Sequence, residues 1–245
     1  MEKTHLYFMP GLGASPAIFE NIKLDENEFE IHLLEWKIPY KGETLQEYAR
    51  RMTEDIKDEN PVLVGVSFGG ILVQEMNQII KTQKTIIISS VKSNKEFPNR
   101  MKFAKLTKIY KLFPTSIIQN IEQYIPDSIN QKYLKGRKDL YKMYLSVRDK
   151  LYLEWSLEQV ILWDRETPDE NVIHIHGSKD EVFPIKYIQD CIVVEKGTHV
   201  MILNRYKWMN EKLPEIIKSE AVSPKSEATL NSPRFNQLTN NQSIK

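Results

Sequence analysis

The strongest constraint on the fold is a short stretch in which an apolar run meets a glycine-rich turn. Residues 61–66 read Pro-Val-Leu-Val-Gly-Val, a mostly β-branched run typical of a strand that is buried on both faces. Ser67-Phe-Gly-Gly70 follows, and residues 71–76 form an apolar run of helical character. The sequence therefore predicts a parallel strand, a sharp turn and a helix, with Ser67 at the turn.

The spacing of this turn, Gly-x-Ser-x-Gly, is that of a nucleophile elbow. Gly65 and Gly69 leave room for a strained turn that lifts the hydroxyl of Ser67 clear of the sheet. The motif alone also occurs by chance in α/β proteins of other functions. The strand before it and the helix after it favour the functional interpretation.

The rest of the chain alternates predicted strands and helices, which favours a parallel sheet with right-handed crossovers. Further strands are predicted at residues 6–9, 29–35, 84–90, 171–176 and 191–194, and a closing helix ends near residue 218. A crossover helix at residues 43–56 carries one apolar face, formed by Leu45, Tyr48, Ala49, Met52 and Ile56. The predicted fold class is α/β, with a mostly parallel sheet flanked by helices.

The alternation stops between residues 92 and 164. This segment is helical in character, rich in aromatic residues and interrupted by prolines, which predicts a helical cap inserted into a sheet domain formed by residues 1–91 and 165–218. Residues 219–245 are rich in Ser, Asn, Gln and Thr and lack periodic apolar positions, so we expect a disordered tail.

The charge of the chain is balanced overall but uneven along its length. The 34 Lys and Arg and 33 Asp and Glu give no indication of nucleic-acid binding. Residues 92–150, however, hold fourteen Lys and Arg against five Asp and Glu. A helix predicted over residues 102–113 has an apolar face, and Lys105, Lys108 and Lys111 lie on its opposite face. Two interpretations stay open: a solvated basic surface, or a cap that attracts an anionic acyl substrate or anionic membrane headgroups.

Cofactor, metal and targeting signals are weak. The single cysteine, Cys191, excludes an intramolecular disulfide, and no apolar run reaches the length of a signal or membrane segment, so we expect a cytoplasmic protein. Gly11 and Gly13 begin a dinucleotide-binding fingerprint, with Glu35 near the position of a ribose-binding acid, but Pro16 replaces the third glycine. No Cys, His or carboxylate group has the sequence spacing of a metal site. We therefore expect no cofactor.

A serine nucleophile needs a base to take its proton and an acid to orient the base. Asp180 lies in the loop after the strand at residues 171–176, and His199 lies in the loop after the next strand. Loops that follow parallel strands meet at one edge of the sheet, so Ser67, Asp180 and His199 are expected to lie together there. Glu181 is a rival for the acid. The remaining histidines lie in or beside strands, where a packed or surface role is expected: His5, His32, His174 and His176.

Four segments resemble the α/β-hydrolase superfamily, in particular its small bacterial members with a helical cap. They are residues 9–15, 65–70, 176–184 and 197–199. The resemblance implies Ser67 as nucleophile, His199 as base, Asp180 as acid, and the backbone N–H groups of Phe68 and Leu12 as oxyanion donors, with Gly11 as an alternative to Leu12. The antiparallel hairpin that precedes the first parallel strand of larger relatives is lacking, which implies a smaller sheet.

The activity implied by this resemblance is that of a serine hydrolase. Its substrate is expected to be a small-molecule ester or thioester, cleaved through an acyl-enzyme as in carboxylesterases and thioesterases. A serine at the elbow, where dehalogenases and epoxide hydrolases have an aspartate, argues against those two reactions. Two alternatives stay open: acyl transfer or a lyase reaction by the same triad, and a non-catalytic relative that binds a small molecule.

Overall fold

A six-stranded sheet forms the centre of the molecule. The structure, a computed structural model, describes residues 3–109, 144 and 146–219. In this part of the chain every neighbouring strand pair is parallel, and the order across the sheet is β2-β1-β3-β4-β5-β6. The strands are β1 (Thr4–Met9), β2 (Phe29–Leu33), β3 (Val62–Val66), β4 (Lys84–Ile88), β5 (Val172–Gly177) and β6 (Ile192–Val194). The predicted parallel sheet is confirmed.

Helices cover both faces of the sheet. They are α1 (Leu45–Thr53), α2 (Phe68–Met76), α3 (Asn99–Thr107), α4 (Lys150–Leu162), α5 (Met201–Asn204) and α6 (Tyr206–Lys218). Successive side chains of a strand point to opposite faces, so Tyr7 and Met9 pack with α1, α2 and α4, whereas Leu6 and Phe8 pack with α6. Among the described helices, none combines the length and the apolar character needed to cross a membrane.

Helix α1 shows how local sequence sets its boundary. Thr44 caps its first turn: the hydroxyl accepts the N–H of Glu47, and the Glu47 carboxylate accepts the N–H of Thr44. The four predicted apolar positions within the helix are buried, and Ile56 lies beyond its end, partly buried against the same cluster. Strand β4 ends two residues earlier than predicted because Ser89 adopts a left-handed backbone with φ 50°.

Part of the predicted cap lies within the described residues. There, residues 94–107 and 150–162 are mostly helical. The predicted helix over residues 102–113 is wrong in extent, because Lys108 adopts a left-handed backbone with φ 56° and α3 ends at Thr107. Lys105 donates hydrogen bonds to the carbonyls of Leu162 and Trp163 at the end of α4. Residues 110–143, which carry six of the fourteen basic side chains, lie outside the described residues, and the anionic-partner interpretation stays a prediction.

The first residue of the predicted tail contacts the folded part of the chain. Ser219 directly follows α6, and its carbonyl oxygen accepts a hydrogen bond from Lys84 of β4. The rest of the predicted tail, residues 220–245, lies outside the described residues.

The junction of β3 and α2 is packed backbone against backbone. A Cβ atom on Gly65 would lie 2.3 Å from the carbonyl oxygen of Gly69, and one on Gly69 would lie 2.4 Å from the carbonyl oxygen of Pro10. Both neighbours are main-chain atoms that cannot rotate away. Only glycine therefore permits α2 to approach the ends of β1 and β3 this closely.

We expect Gly65→Ala to destabilise the fold by at least about 3 kcal/mol, the upper range for overpacking against atoms that cannot move. Gly42→Ala is the matched control, because Gly42 has φ 77° but no atom lies within 4 Å of the added Cβ. Its cost is restricted to left-handed backbone strain of about 1 kcal/mol. Urea unfolding monitored by circular dichroism measures both losses, and equal losses would contradict the packing argument.

Candidate active site

Ser67 occupies a strained turn between β3 and α2. Its backbone has φ 52° and ψ −119°, a conformation that residues with a side chain seldom adopt. The turn is held from β4: the Ser67 N–H donates to the carbonyl of Ile88 at 2.9 Å, and the Ser90 hydroxyl donates to the carbonyl of Ser67 at 2.7 Å. The sheet therefore fixes the backbone from which the Ser67 hydroxyl projects.

The structure brings Ser67, His199 and Asp180 together in one hydrogen-bonded chain. Nε2 of His199 lies 2.9 Å from Oγ of Ser67, and Nδ1 of His199 lies 2.9 Å from Oδ2 of Asp180. The three residues follow β3, β6 and β5, so their meeting at the carboxyl edge is a consequence of parallel strands. Asp180 is buried and His199 is about one quarter exposed, so the imidazole is the member of the pair that solvent or a ligand reaches.

Asp180 is oriented by its own loop. Its Oδ1 atom accepts the backbone N–H groups of Val182 at 2.8 Å and Phe183 at 2.9 Å, which leaves Oδ2 for His199. Glu181, its rival in the sequence, is exposed to solvent. The buried carboxylate beside His199 is therefore that of Asp180.

The chain resembles known proteins in its fold. No protein-family model matches the sequence, and no curated protein matches it. Solved structures do match. The enol-lactonase from Burkholderia xenovorans LB400 has 11% identity and a TM-score of 0.65, covering 89% of this chain and 93% of that one. An esterase from Exiguobacterium antarcticum has 15% identity and a TM-score of 0.61, with the same coverages of 89% and 93%. A carboxylesterase structure from Nitrososphaera gargenis has 18% identity and a TM-score of 0.59, covering 88% and 90%.

The chain has the α/β-hydrolase fold. The match covers 89% of this chain and 93% of each of the first two solved structures, and it confirms the fold that the sequence motifs predicted. At 11–18% identity the likeness concerns the fold, and the chemistry has to be argued from the residues of this chain.

The two residues that the sequence analysis names as oxyanion donors, Phe68 and Leu12, line the same cavity as Ser67. Phe68 is the first residue of α2, so its N–H has no partner within the helix. The carbonyl of Gly11 accepts the indole N–H of Trp36 at 2.9 Å, so the N–H of Leu12, on the same trans peptide, points the opposite way. Leu12 and Ser67 line the same cavity. Both predicted donors thus belong to the walls of the site.

Two aromatic residues that the sequence analysis missed hold the loop after β1. Trp36 stacks on Phe68, with ring centroids 4.9 Å apart and an angle of 8° between the planes, while it binds the carbonyl of Gly11. The hydroxyl of Tyr152, on α4, accepts the N–H of Gly13 at 3.2 Å. Trp36 directly follows a predicted strand, and this position could have indicated from the sequence that its side chain lies close to the loop after β1. Tyr152 is 139 residues from its partner, and no local pattern reveals that contact.

An apolar cavity of about 720 Å³ opens onto Ser67 and His199. Its wall includes side chains from both faces of the fold and from α4: Ile18, Leu157, Val160, Phe183, Ile202 and Leu203. Such a wall favours an apolar organic group, with its reactive polar atoms held at the Ser67 end.

A pair of buried histidines on β5 lies behind Asp180. Nε2 of His176 lies 2.8 Å from the carbonyl oxygen of Phe183, which only accepts, so this nitrogen carries the proton. Burial lowers the pKa of His176, so the ring is neutral and its Nδ1 accepts the Nε2–H of His174, 3.0 Å away. Burial, together with His176 and Lys92, lowers the pKa of His174 well below its ordinary value. Hydrogen bonds through these two neutral rings thus connect the loop that carries Asp180 to the core.

This buried pair should make stability depend on pH. A histidine that is neutral when folded but titrates near 6.5 when unfolded contributes its full stability above that pH and loses it as the pH falls. One such group contributes a slope of up to about 1.4 kcal/mol per pH unit below 6.5. We expect His174→Gln to reduce the loss in unfolding free energy between pH 7.5 and pH 5.5, measured by urea unfolding. An unchanged loss in the variant would contradict this assignment.

Proposed function

We propose that this protein is a serine hydrolase that cleaves a small-molecule ester or thioester through an acyl-enzyme. The observation that supports it is the unbroken chain from Ser67 through His199 to Asp180, with 2.9 Å at each step. Because Asp180 accepts the Nδ1 proton, Nε2 of His199 presents its lone pair to the serine hydroxyl. This is the tautomer that a general base requires.

The first half-reaction forms the acyl-enzyme. Oγ of Ser67 attacks the substrate carbonyl carbon while its proton passes to Nε2 of His199, and the carbonyl π electrons move onto oxygen. Asp180 stabilises the resulting imidazolium. When the tetrahedral intermediate collapses, the bond to the leaving alkoxide or thiolate breaks and His199 returns the proton to it.

The second half-reaction releases the acid. Water attacks the acyl carbon as His199 takes its proton, and Ser67 leaves with that proton when the intermediate collapses. In both intermediates we assign the oxyanion to the N–H groups of Phe68 and Leu12. These donors lie on backbone held by α2 and by Trp36, so they require little reorganisation as charge develops.

The cavity supports an apolar acyl group as the part of the substrate that is bound. When an apolar acyl group binds against the aliphatic and aromatic wall, its surface leaves water. This burial favours binding by about 25 cal/mol for each Å² of apolar surface. The solvent-reachable edge of His199 leaves a path for the leaving group and for water.

The nucleophile is tested with a fluorophosphonate probe and with p-nitrophenyl and acyl thioesters of graded chain length. We expect the probe to label Ser67, and Ser67→Ala to lose both labelling and at least roughly a thousand-fold in kcat. Ser146→Ala, an exposed serine outside the cavity, is the control and should retain both. A Ser67→Ala protein that is still labelled, or whose kcat stays close to that of the wild type, overturns the proposal.

The identity of the acid is tested by replacing each of the two adjacent carboxylates, in separate variants, by the corresponding amide. Asp180→Asn is expected to lower kcat by about 10⁴-fold with little change in fold, because an amide opposite Nδ1 favours the wrong tautomer of His199. Glu181→Gln, at an exposed position, should stay within about twofold of wild type. The reverse ranking in steady-state kinetics would show that the acid was assigned to the wrong residue.

A further inference from the structure

A second group of polar side chains lies on the sheet away from the serine site. His5 of β1, Glu30 and His32 of β2, and Asp58 in the loop before β3 converge beside the first half of β1, where Glu30 pairs with His5 and His32 pairs with Tyr7. Ser67 follows the carboxyl end of β3, so a strand length separates the two groups. Nothing in the proposed hydrolysis uses these side chains.

The distances within this group match those between the ligands of one small cation. Nδ1 of His5 lies 3.0 Å from Nε2 of His32, and Oδ2 of Asp58 lies 3.3 Å from the first nitrogen and 3.5 Å from the second. A tetrahedral Zn²⁺ ion with bonds of 2.0–2.2 Å places its ligand atoms about 3.3 Å apart. The three atoms therefore outline one face of a tetrahedral site. An oxygen of Glu30 lies 3.9 Å from Nε2 of His32, within reach of the fourth position.

The chemistry of the donors restricts the ion. Two imidazole nitrogens with a carboxylate suit Zn²⁺ and its neighbours among the divalent transition metals, whereas Ca²⁺ and Mg²⁺ take oxygen ligands. Without a cation, a hydrogen bond between the two nitrogens requires that one of them carries a proton and the other accepts it, beside the Asp58 carboxylate.

Surrounding contacts orient these donors as outer-shell partners orient metal ligands. The buried Tyr7 hydroxyl donates to Oδ2 of Asp58 and accepts the N–H of Lys57. The Tyr7 ring also stacks on His32, with centroids 4.5 Å apart and an angle of 15°. His5, His32 and Asp58 are each about a quarter to a third exposed, so an ion and a water ligand can enter.

We propose that His5 Nδ1, His32 Nε2 and Asp58 Oδ2 bind one divalent transition-metal ion, Zn²⁺ by preference, with Glu30 or water as fourth ligand. The ion joins β1, the edge strand β2 and the loop that leads into β3. Because it lies at the opposite end of the sheet from Ser67, its role is to stabilise the fold. The proposal does not depend on the proposed hydrolase activity.

The test uses the full chain, freed of metal with a chelator and then titrated with Zn²⁺ or Co²⁺. We expect one ion per chain by calorimetry, a rise in melting temperature with Zn²⁺, and the intense visible absorption of tetrahedral Co²⁺. His32→Gln should weaken binding by about 100-fold or more, since even outer-shell changes cost 10- to 100-fold. Absence of Zn²⁺ and Co²⁺ binding by the wild-type chain overturns the proposal.

Two matched controls locate the ion. His199→Gln removes an imidazole from the serine site and should leave the Co²⁺ spectrum unchanged. If His199→Gln loses the Co²⁺ spectrum and His32→Gln retains it, the ion binds at the serine site and the proposal is overturned. Asp58→Asn should lose binding, whereas Glu59→Gln, the exposed neighbour, should retain it. Circular dichroism of each metal-free variant checks that it is folded, and if His32→Gln is not folded, the Asp58 and Glu59 pair decides.

Discussion

The close approach of α2 to the ends of β1 and β3 is the constraint on which the serine site depends. At Gly65 and Gly69 the main chains touch with no room for a side chain. This contact leaves Ser67 in a strained conformation, which persists because β4 holds it through the carbonyl of Ile88 and the hydroxyl of Ser90. The position of the hydroxyl is therefore a property of four packed elements and not of the turn alone.

The loop that carries Asp180 is held by a different set of contacts. Burying two histidines in a core is costly unless their polar atoms are paired. Here three of the four ring nitrogens are hydrogen-bonded: Nε2 of His174 to Nδ1 of His176, and Nε2 of His176 to the carbonyl of Phe183. That carbonyl belongs to the loop whose N–H groups orient Asp180. The hydrogen bonds of two neutral histidine rings in the core thus hold the loop that carries Asp180.

The parallel sheet gives its two ends different properties. At the carboxyl end, the loops after β3, β5 and β6 bring Ser67, Asp180 and His199 together beside one apolar cavity. At the other end, register pairs Tyr7 with His32 and His5 with Glu30, and the loop before β3 adds Asp58. One end carries the serine that we propose as the nucleophile, and the other carries the side chains that we propose as ligands of a cation.

The sequence alone determined the features that neighbours along the chain control. Strand and helix order, the elbow at Ser67 and the chain order of Ser67, Asp180 and His199 follow from apolar periodicity and from glycine spacing, which are local properties. The α/β-hydrolase fold was predicted because four short segments of the sequence resemble that superfamily.

Only the tertiary structure decided the rest. Two adjacent carboxylates are equivalent in sequence, and burial of Asp180 with exposure of Glu181 separates them. The end of α3 depends on the backbone of Lys108, which no apolar pattern encodes. The contact of Tyr152 with Gly13, and the meeting of His5, His32 and Asp58, join segments far apart in the chain. Such pairings are set by strand register and helix packing, because those place side chains in space independently of their separation in sequence.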